Sequence, residues 1–334
     1  MTPTILIITN SGDLHADLVV TNLTEKGVTP FRINLNEFPR DFVLEYASDS
    51  DGWSATLTHT PSVSTLILNT VTAIWTRKTS EFAFPSGDQF STQEKTYAKE
   101  ETQHVLNSLL YSLDCYWMNH PLAVRSALWK GEQALRATKM GFKTPPSLIT
   151  NRPEAVVEFK GRVNHDIVLK AMSTSTLAAE KMEDGEQVVV RGLSTTIVTD
   201  DMMDSVESVQ EIPCYFQAYT DKQFELRVTV IGNHVFAAKI DSQASEKTKV
   251  DLRDYSAEID YEAHTLPPEV EQRCREFVHS YNLQYGAMDI IVTPEGEYVF
   301  LENNPAGQFL FVEQLVPEFT MIDTLANCLI AGTP

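Results

Sequence analysis

Asp289, Glu302 and Asn304 lie in the segment GAMDIIVTPEGEYVFLENNP, where two apolar runs flank Pro294-Glu295-Gly296-Glu297. Pro and Gly between two strand-like runs predict a hairpin. A turn centred on Glu295-Gly296 pairs Thr293 with Tyr298 and sets Asp289 opposite Glu302. Alternation of strand side chains then puts Asn304 on the face of Glu302. Directly opposed like charges destabilise a sheet, so two acids and an amide oxygen on one face need a reason. A hard cation such as Mg²⁺ supplies one, because it takes oxygen ligands and leaves positions for substrate phosphates. Acids splayed at a solvent-facing edge satisfy the same spacing, since a one-residue slip moves every side chain to the other face.

Other residues could serve such a site. Lys170 ends the apolar run DIVLK, where a desolvated ammonium is costly without an anionic partner. Lys130 falls on an expected helix, where a surface lysine is the ordinary reading. Arg227 sits inside the run FELRVTVI, where a structural ion pair is the ordinary reading. Phe216-Gln217-Ala218-Tyr219 forms a strand end leading into a loop. Arg77 and Lys78 close a strand in AIWTRK, within reach of a ligand or solvated in a loop.

The elements that must position these residues follow from periodicity. A strand over 4–9, a helix over 13–26 and a strand over 28–33 open the chain, followed by strands at 42–47, 53–58 and 71–76. A helix fits 91–113, with Ser91 and Glu94 at capping-box spacing. From 119 a helix runs to Gly141, a C-cap glycine with Pro145-Pro146 beyond. A helix at 153–160, a strand at 166–170, two strands near 187–199 and an acidic segment at 200–211 come next. Strands at 213–219, 224–231 and 234–241 follow, the last two joined at Gly232-Asn233. A helix at 268–283 leads into the Asp289 hairpin, and a helix over about 311–331 comes last.

With 334 residues, two or three domains are expected. Composition is globular, at 43% hydrophobic and 22% charged. No apolar stretch reaches membrane-spanning length and the N-terminus lacks a signal-peptide pattern, so no membrane association is expected. The four cysteines form no CxxC pair, which points to reduced thiols in the cytoplasm. A net charge of −20 disfavours nucleic acid as a partner. No GxGxxG or GxxxxGK[ST] motif occurs.

Taken in order, two lysines about 40 apart, a QxY linker, an ELR strand and then D…ExN resemble the ATP-grasp fold. FELRVTVIGNHVFAAKIDSQASEKTKVDLRDY, YGAMDIIVTPEGEYVFLENNPAGQFLFVE, FRINLNEFP and AIWTRK narrow this to the microviridin-type peptide ligases, the graspetide synthetases. The resemblance implies an α/β chain of three parts. Residues 1–118 form an N-terminal α/β domain of pre-ATP-grasp type. Residues 119–215 form a central ATP-grasp subdomain with a peptide-binding hairpin and acidic helix, and 216–334 a C-terminal subdomain with the metal site. It also implies the cofactors ATP and Mg²⁺, with Lys130 and Lys170 on the phosphates and Gln217, Ala218 and Tyr219 along adenine, read by linker backbone. Asp289, Glu302 and Asn304 would hold the metal. Arg227, with Lys170, would stabilise charge in the reaction, and Arg77, Lys239 and Arg253 would steady the substrate.

The implied reaction phosphorylates Asp or Glu side chains of a ribosomal precursor peptide. Ser or Thr hydroxyls, or a Lys amine, then close ω-ester or ω-amide rings. The expected partner is that peptide, leader plus acidic core, with a homodimer as a candidate assembly. Asp200, Asp201 and Asp204 could meet a basic leader residue, although acids at a helix N-terminus are favoured by the helix dipole alone. Ala218 stands where the family carries an acid. Asn303 stands where relatives carry an apolar residue and is expected to face away from the metal. The alternatives are an ATP-grasp ligase adding a free amino acid to a carboxylate, and a nucleotide-sensing protein without catalysis.

Overall fold

The computed structural model describes residues 3–50, 52–78, 80–163, 165–173, 176–177, 191–192, 195–244 and 259–333. Arg253 and residues 187–190 and 193–194 lie outside them.

The buried strand Ile5–Thr9 lies between Phe31–Asn34 and Ala73–Thr76, and Tyr116–Met118 completes a parallel four-stranded sheet. A separate antiparallel sheet joins Phe42–Asp49, Gly52–His59 and Ser64–Ile67, the last a short strand that periodicity did not reveal. The helix Thr92–Leu110 begins at the expected capping box, Ser91 and Glu94 exchanging bonds in both directions.

The central sheet runs in the order Thr196–Ile197, Ile167–Lys170, Cys214–Ala218, Ser147–Thr150, antiparallel throughout. Among the described residues of 187–199, two short strands each pair with a different partner. Arg191–Gly192 pairs with Thr176–Leu177, and Thr196–Ile197 joins the Lys170 strand. The C-terminal sheet orders Tyr261–Ala263, His234–Ile240, Phe224–Ile231, Tyr285–Val292 and Tyr298–Asn304.

Two expected helices are broken. The 119–141 helix divides into Pro121–Ser126 and Lys130–Lys139, so that Lys130 opens a helix. The interruption is closed by Gln133, whose amide donates to the Ala127 carbonyl at 2.6 Å. The final helix divides into Leu310–Leu315 and Met321–Ala331, with Pro317, which cannot donate a backbone bond, between them.

One apolar cluster joins Ile5, Ile7, Val19, Leu23 and Trp75 to Tyr285, Phe309, Val312, Leu325 and Leu329. The first sheet and the last helices therefore share a core. A second cluster packs Ala127, Ala137 and Phe142 with Val228, Phe277, Met288 and Phe300. The segment 121–142 thus packs on the C-terminal sheet, while the central sheet has its own cluster around Phe159, Ile167 and Phe216.

Candidate active site

Asp289 lies opposite Glu302, by a route the sequence reading did not foresee. At the turn the pairing is Val292 with Tyr298, one residue off the expected register. An irregularity between Asp289 and Ile290 then passes over Leu301 and brings Asp289 back against Glu302. Such a bulge inserts one unpaired residue and re-aims the side chains beyond it.

Each carboxylate meets a cation. Arg227, directly across from Asp289 in the neighbouring strand, places Nη1 at 2.6 Å from its Oδ1. Lys130 Nζ lies 3.1 Å from Glu302 Oε2 and donates to the Ala171 carbonyl at 2.9 Å. Lys170, at the end of its strand, donates to Gln217 Oε1 at 3.3 Å and is close enough to help hold the Asp289 charge. Loss of water pushes the Asp289 carboxyl up, an effect Arg227 opposes while Glu302 adds to it. Gly307 keeps room for this pair, because a Cβ there would lie 2.7 Å from the Ala287 Cβ and 3.2 Å from Arg227 Nη2. Asn304 is exposed on the Glu302 face, its side-chain oxygen accepting from Ala306 N–H at 3.1 Å.

Two carboxylates and an amide oxygen on one sheet face form the hard oxygen set that Mg²⁺ takes when phosphates complete its shell. Among the described residues, no group of three or more His, Cys, Asp or Glu side chains is arranged to hold a metal by itself.

Asn303, between the two, is 3% exposed and turned the other way, its amide atoms without a hydrogen-bond partner. It lies flat against Gly286, where a Cβ would come within 2.5 Å of its Oδ1.

Gln217 is buried and reaches Lys170, Ser147 and the Tyr215 hydroxyl. Part of this linker's backbone is already bonded. Its strand is laddered on both sides, and the chain continues that way. Ala218 N–H goes to the Pro146 carbonyl and Tyr219 N–H to the Asp166 carbonyl, both at 2.8 Å. Those two donors are engaged within the protein, so a base reading them would have to release them.

Lys239 stands apart from the Asp289 face. It pairs with Leu226, so alternation places it on the face opposite Arg227, where it bonds Glu262 at 2.5 Å and lies over the Phe224 ring. Arg77 is engaged elsewhere. Its side chain is 3% exposed and bonds Asp13 at 3.0 Å, with Thr9 holding the same carboxylate and the Phe309 ring beside the guanidinium. It is enclosed between the first sheet and the segment after Asn304. Asp200, Asp201 and Asp204 are exposed around a four-residue helix capped by Thr199, and Asp200 pairs with Lys160 at 2.9 Å. They are not brought to the Asp289 face by any bond described.

Neutral side chains carried no signal in the sequence. Asn119 accepts from Gln284 and Tyr285 N–H at 2.6 and 2.9 Å and donates to the Tyr285 and Pro305 carbonyls at 2.8 and 3.0 Å. It ties together the open end of the Asp289–Asn304 hairpin. Gln133, Tyr215 and the buried Lys222–Glu225 pair were also unmarked.

Residues 4–125 match the family described as the MvdD pre-ATP grasp domain. No curated protein matches the sequence. Among solved structures, the chain is similar to a RiPP-associated ATP-grasp ligase of Chryseobacterium gregarium, in complex with ADP and a leader and core peptide. The two are 31% identical over 99% of this chain and 98% of the other, with a TM-score of 0.87. Macrocyclase MdnC of Microcystis aeruginosa, bound with precursor peptide MdnA, is 28% identical over 99% of this chain and 100% of the other, with a TM-score of 0.83. Macrocyclase MdnB of the same organism is 27% identical over 98% and 99%, with a TM-score of 0.76.

Proposed function

Because the chain belongs to the ATP-grasp ligases associated with ribosomally synthesised, post-translationally modified peptides, we propose that it closes rings in such a peptide at the expense of ATP. The observation that carries this is the convergence of Lys130, Lys170 and Arg227 on the Asp289–Glu302 face. A cationic rim over paired acids suits a metal-bound polyphosphate meeting a peptide carboxylate.

In this reading, an oxygen of a peptide Asp or Glu attacks the γ-phosphorus of ATP and ADP leaves, giving an acyl phosphate. A Ser or Thr hydroxyl, or a Lys amine, of the same peptide attacks the acyl carbon. Phosphate departs and the nucleophile loses its proton, so each ring removes one water from the peptide. Lys130 and Lys170 draw off phosphate charge, and Arg227 faces the departing phosphate. Asp289, Glu302 and Asn304 would hold Mg²⁺, which would supply positive charge against the phosphates. Gln217, Ala218 and Tyr219 line the adenine end, by surfaces other than the two engaged N–H groups.

The −20 net charge repels an acidic core, so a leader docked elsewhere raises the local concentration of the core. The exposed acids Asp201 and Asp204 are candidates to meet a basic leader residue. A cytoplasmic location is supported by four free thiols. Among the described residues, no helix is long and apolar enough to cross a membrane. A second copy of the chain is a candidate partner, to be weighed by sedimentation. The reading is tested by incubating a precursor peptide encoded beside this protein with ATP and Mg²⁺. Mass spectrometry should show loss of one water per ring. Transfer of a free amino acid to the peptide, a gain of mass, would overturn it.

A further inference from the structure

We propose that Gln133 is a positioning residue that sets the distance between the Lys130 ammonium and the oxygens of Glu302 and Asn304. The inference rests on reading that site as the nucleotide and metal site.

The Glu302 strand is the edge of its sheet, with the Asp289 strand as its neighbour. An edge strand leaves a row of backbone groups with no strand partner. Its own ladder is interrupted by the irregularity that passes over Leu301, just before Glu302. The ladder resumes with Glu302, Asn303 and Asn304 against Asp289, Met288 and Ala287, which holds the inner side of the strand and leaves its outer side to a second support.

Gln133 gives this support at Asn303, the residue between the two expected ligands. Its Oε1 accepts from Asn303 N–H at 2.7 Å and its Nε2 donates to the Asn303 carbonyl at 2.8 Å. One side-chain amide thus takes the place of a missing strand. At 2% exposure, water cannot substitute for it. Lys130 lies one turn earlier on the same helix face, and its ammonium meets Glu302 at 3.1 Å. A single helical turn therefore grips both residues 302 and 303. The other anchors of this helix go elsewhere: Glu132 bonds the Tyr281 hydroxyl, and Arg136 bonds the Ser280 carbonyl at 3.0 Å.

The test uses Gln133→Met, which keeps the stem and removes the amide, and Tyr281→Phe, which loosens the same helix without touching the strand. Calorimetry follows ADP binding as Mg²⁺ is titrated, and hydrogen exchange follows residues 298–304. Gln133→Met should raise the Mg²⁺ needed for half-saturation about tenfold, as loss of a group orienting a metal ligand does. Exchange at 298–304 should quicken, and Tyr281→Phe should change neither. In a Lys130→Met background the effect of Gln133→Met should shrink, since the distance it sets no longer matters. Wild-type Mg–ADP affinity in Gln133→Met with only a lower melting temperature would overturn the proposal. So would an equal loss in Tyr281→Phe. Weakened Mg–ADP binding in a protein that closes no ring supports the positioning and removes the reaction, whereas a wild-type chain that binds no Mg–ADP overturns both.

Discussion

Arg227→Met leaves the Asp289 carboxylate facing Glu302 with its nearest counter-charge gone. Both members of the pair are largely enclosed, with 15% and 21% of their side chains exposed. Removing one partner of a buried pair costs about 3–5 kcal/mol, and residual exposure places this one near 3. With an unfolding entropy of about 2.1 cal/mol/K per residue, that is a fall in melting temperature of about 4 °C. Mg²⁺ with ADP should restore much of it, because the metal would supply the missing positive charge. Arg227→Met/Asp289→Leu should melt close to wild type, since replacing both members with apolar groups is often neutral. Neither variant should close rings. Differential scanning fluorimetry with and without Mg–ADP, alongside peptide mass spectrometry, reads all of this. If the double variant is as unstable as the two single losses combined, the uncompensated charge is not the cause. If Arg227→Met processes peptide at the wild-type rate, its place in the reaction is lost.

Glu302→Gln should abolish turnover and the Mg²⁺ dependence of ADP binding while leaving circular dichroism unchanged; full activity in that variant or in excess EDTA would remove the metal assignment. Asn303→Leu keeps the branched shape and removes a buried amide without partners, so chemical denaturation should show a gain of about 1 kcal/mol with turnover retained. His15 is 7% exposed, and burial, reinforced by Arg77, pushes its imidazole down to about 4 from 6.5. The folded state then resists a proton that the unfolded chain accepts. Stability is full above pH 6.5 and falls as pH drops toward 4, by about 3 kcal/mol at 1.36 per unit, and His15→Phe should flatten that slope in melting curves. Asp204→Arg should slow processing of a leader-bearing peptide far more than it weakens ATP binding; equal processing with and without the leader would leave that segment structural.

The acid pair could be read in the sequence because alternation, a Pro-Gly turn and like charges together constrain a short hairpin. The route could not be read: the turn slips by one and the irregularity at Leu301 takes it back, and neither leaves a compositional trace. Which face Lys239 takes could not be read from charge alone, since one residue of parity separates it from the Arg227 face. Arg77 shows the limit of local reading, as its partner Asp13 is 64 residues away and looks like any helix-cap acid. Gln133 and Asn119 were invisible because an amide has neither charge nor hydropathy period, and its value depends on which backbone groups the fold leaves without partners.

The cluster under Ile5 and Ile7 also contains Leu325 and Leu329, and this orders events during synthesis. The first sheet is complete once Met118 has been made, yet part of its apolar face waits for the helix Met321–Ala331. At about 5–20 residues per second, the intervening ~200 residues take on the order of 10–40 s. Throughout that interval a nascent chain carries a half-covered sheet, open to chaperones and to its own neighbours on the polysome. Contacts of such sequence separation form slowly in any case. The first strands are thus made early and buried last, and an otherwise silent defect in the last helix would be felt as a failure of the first sheet.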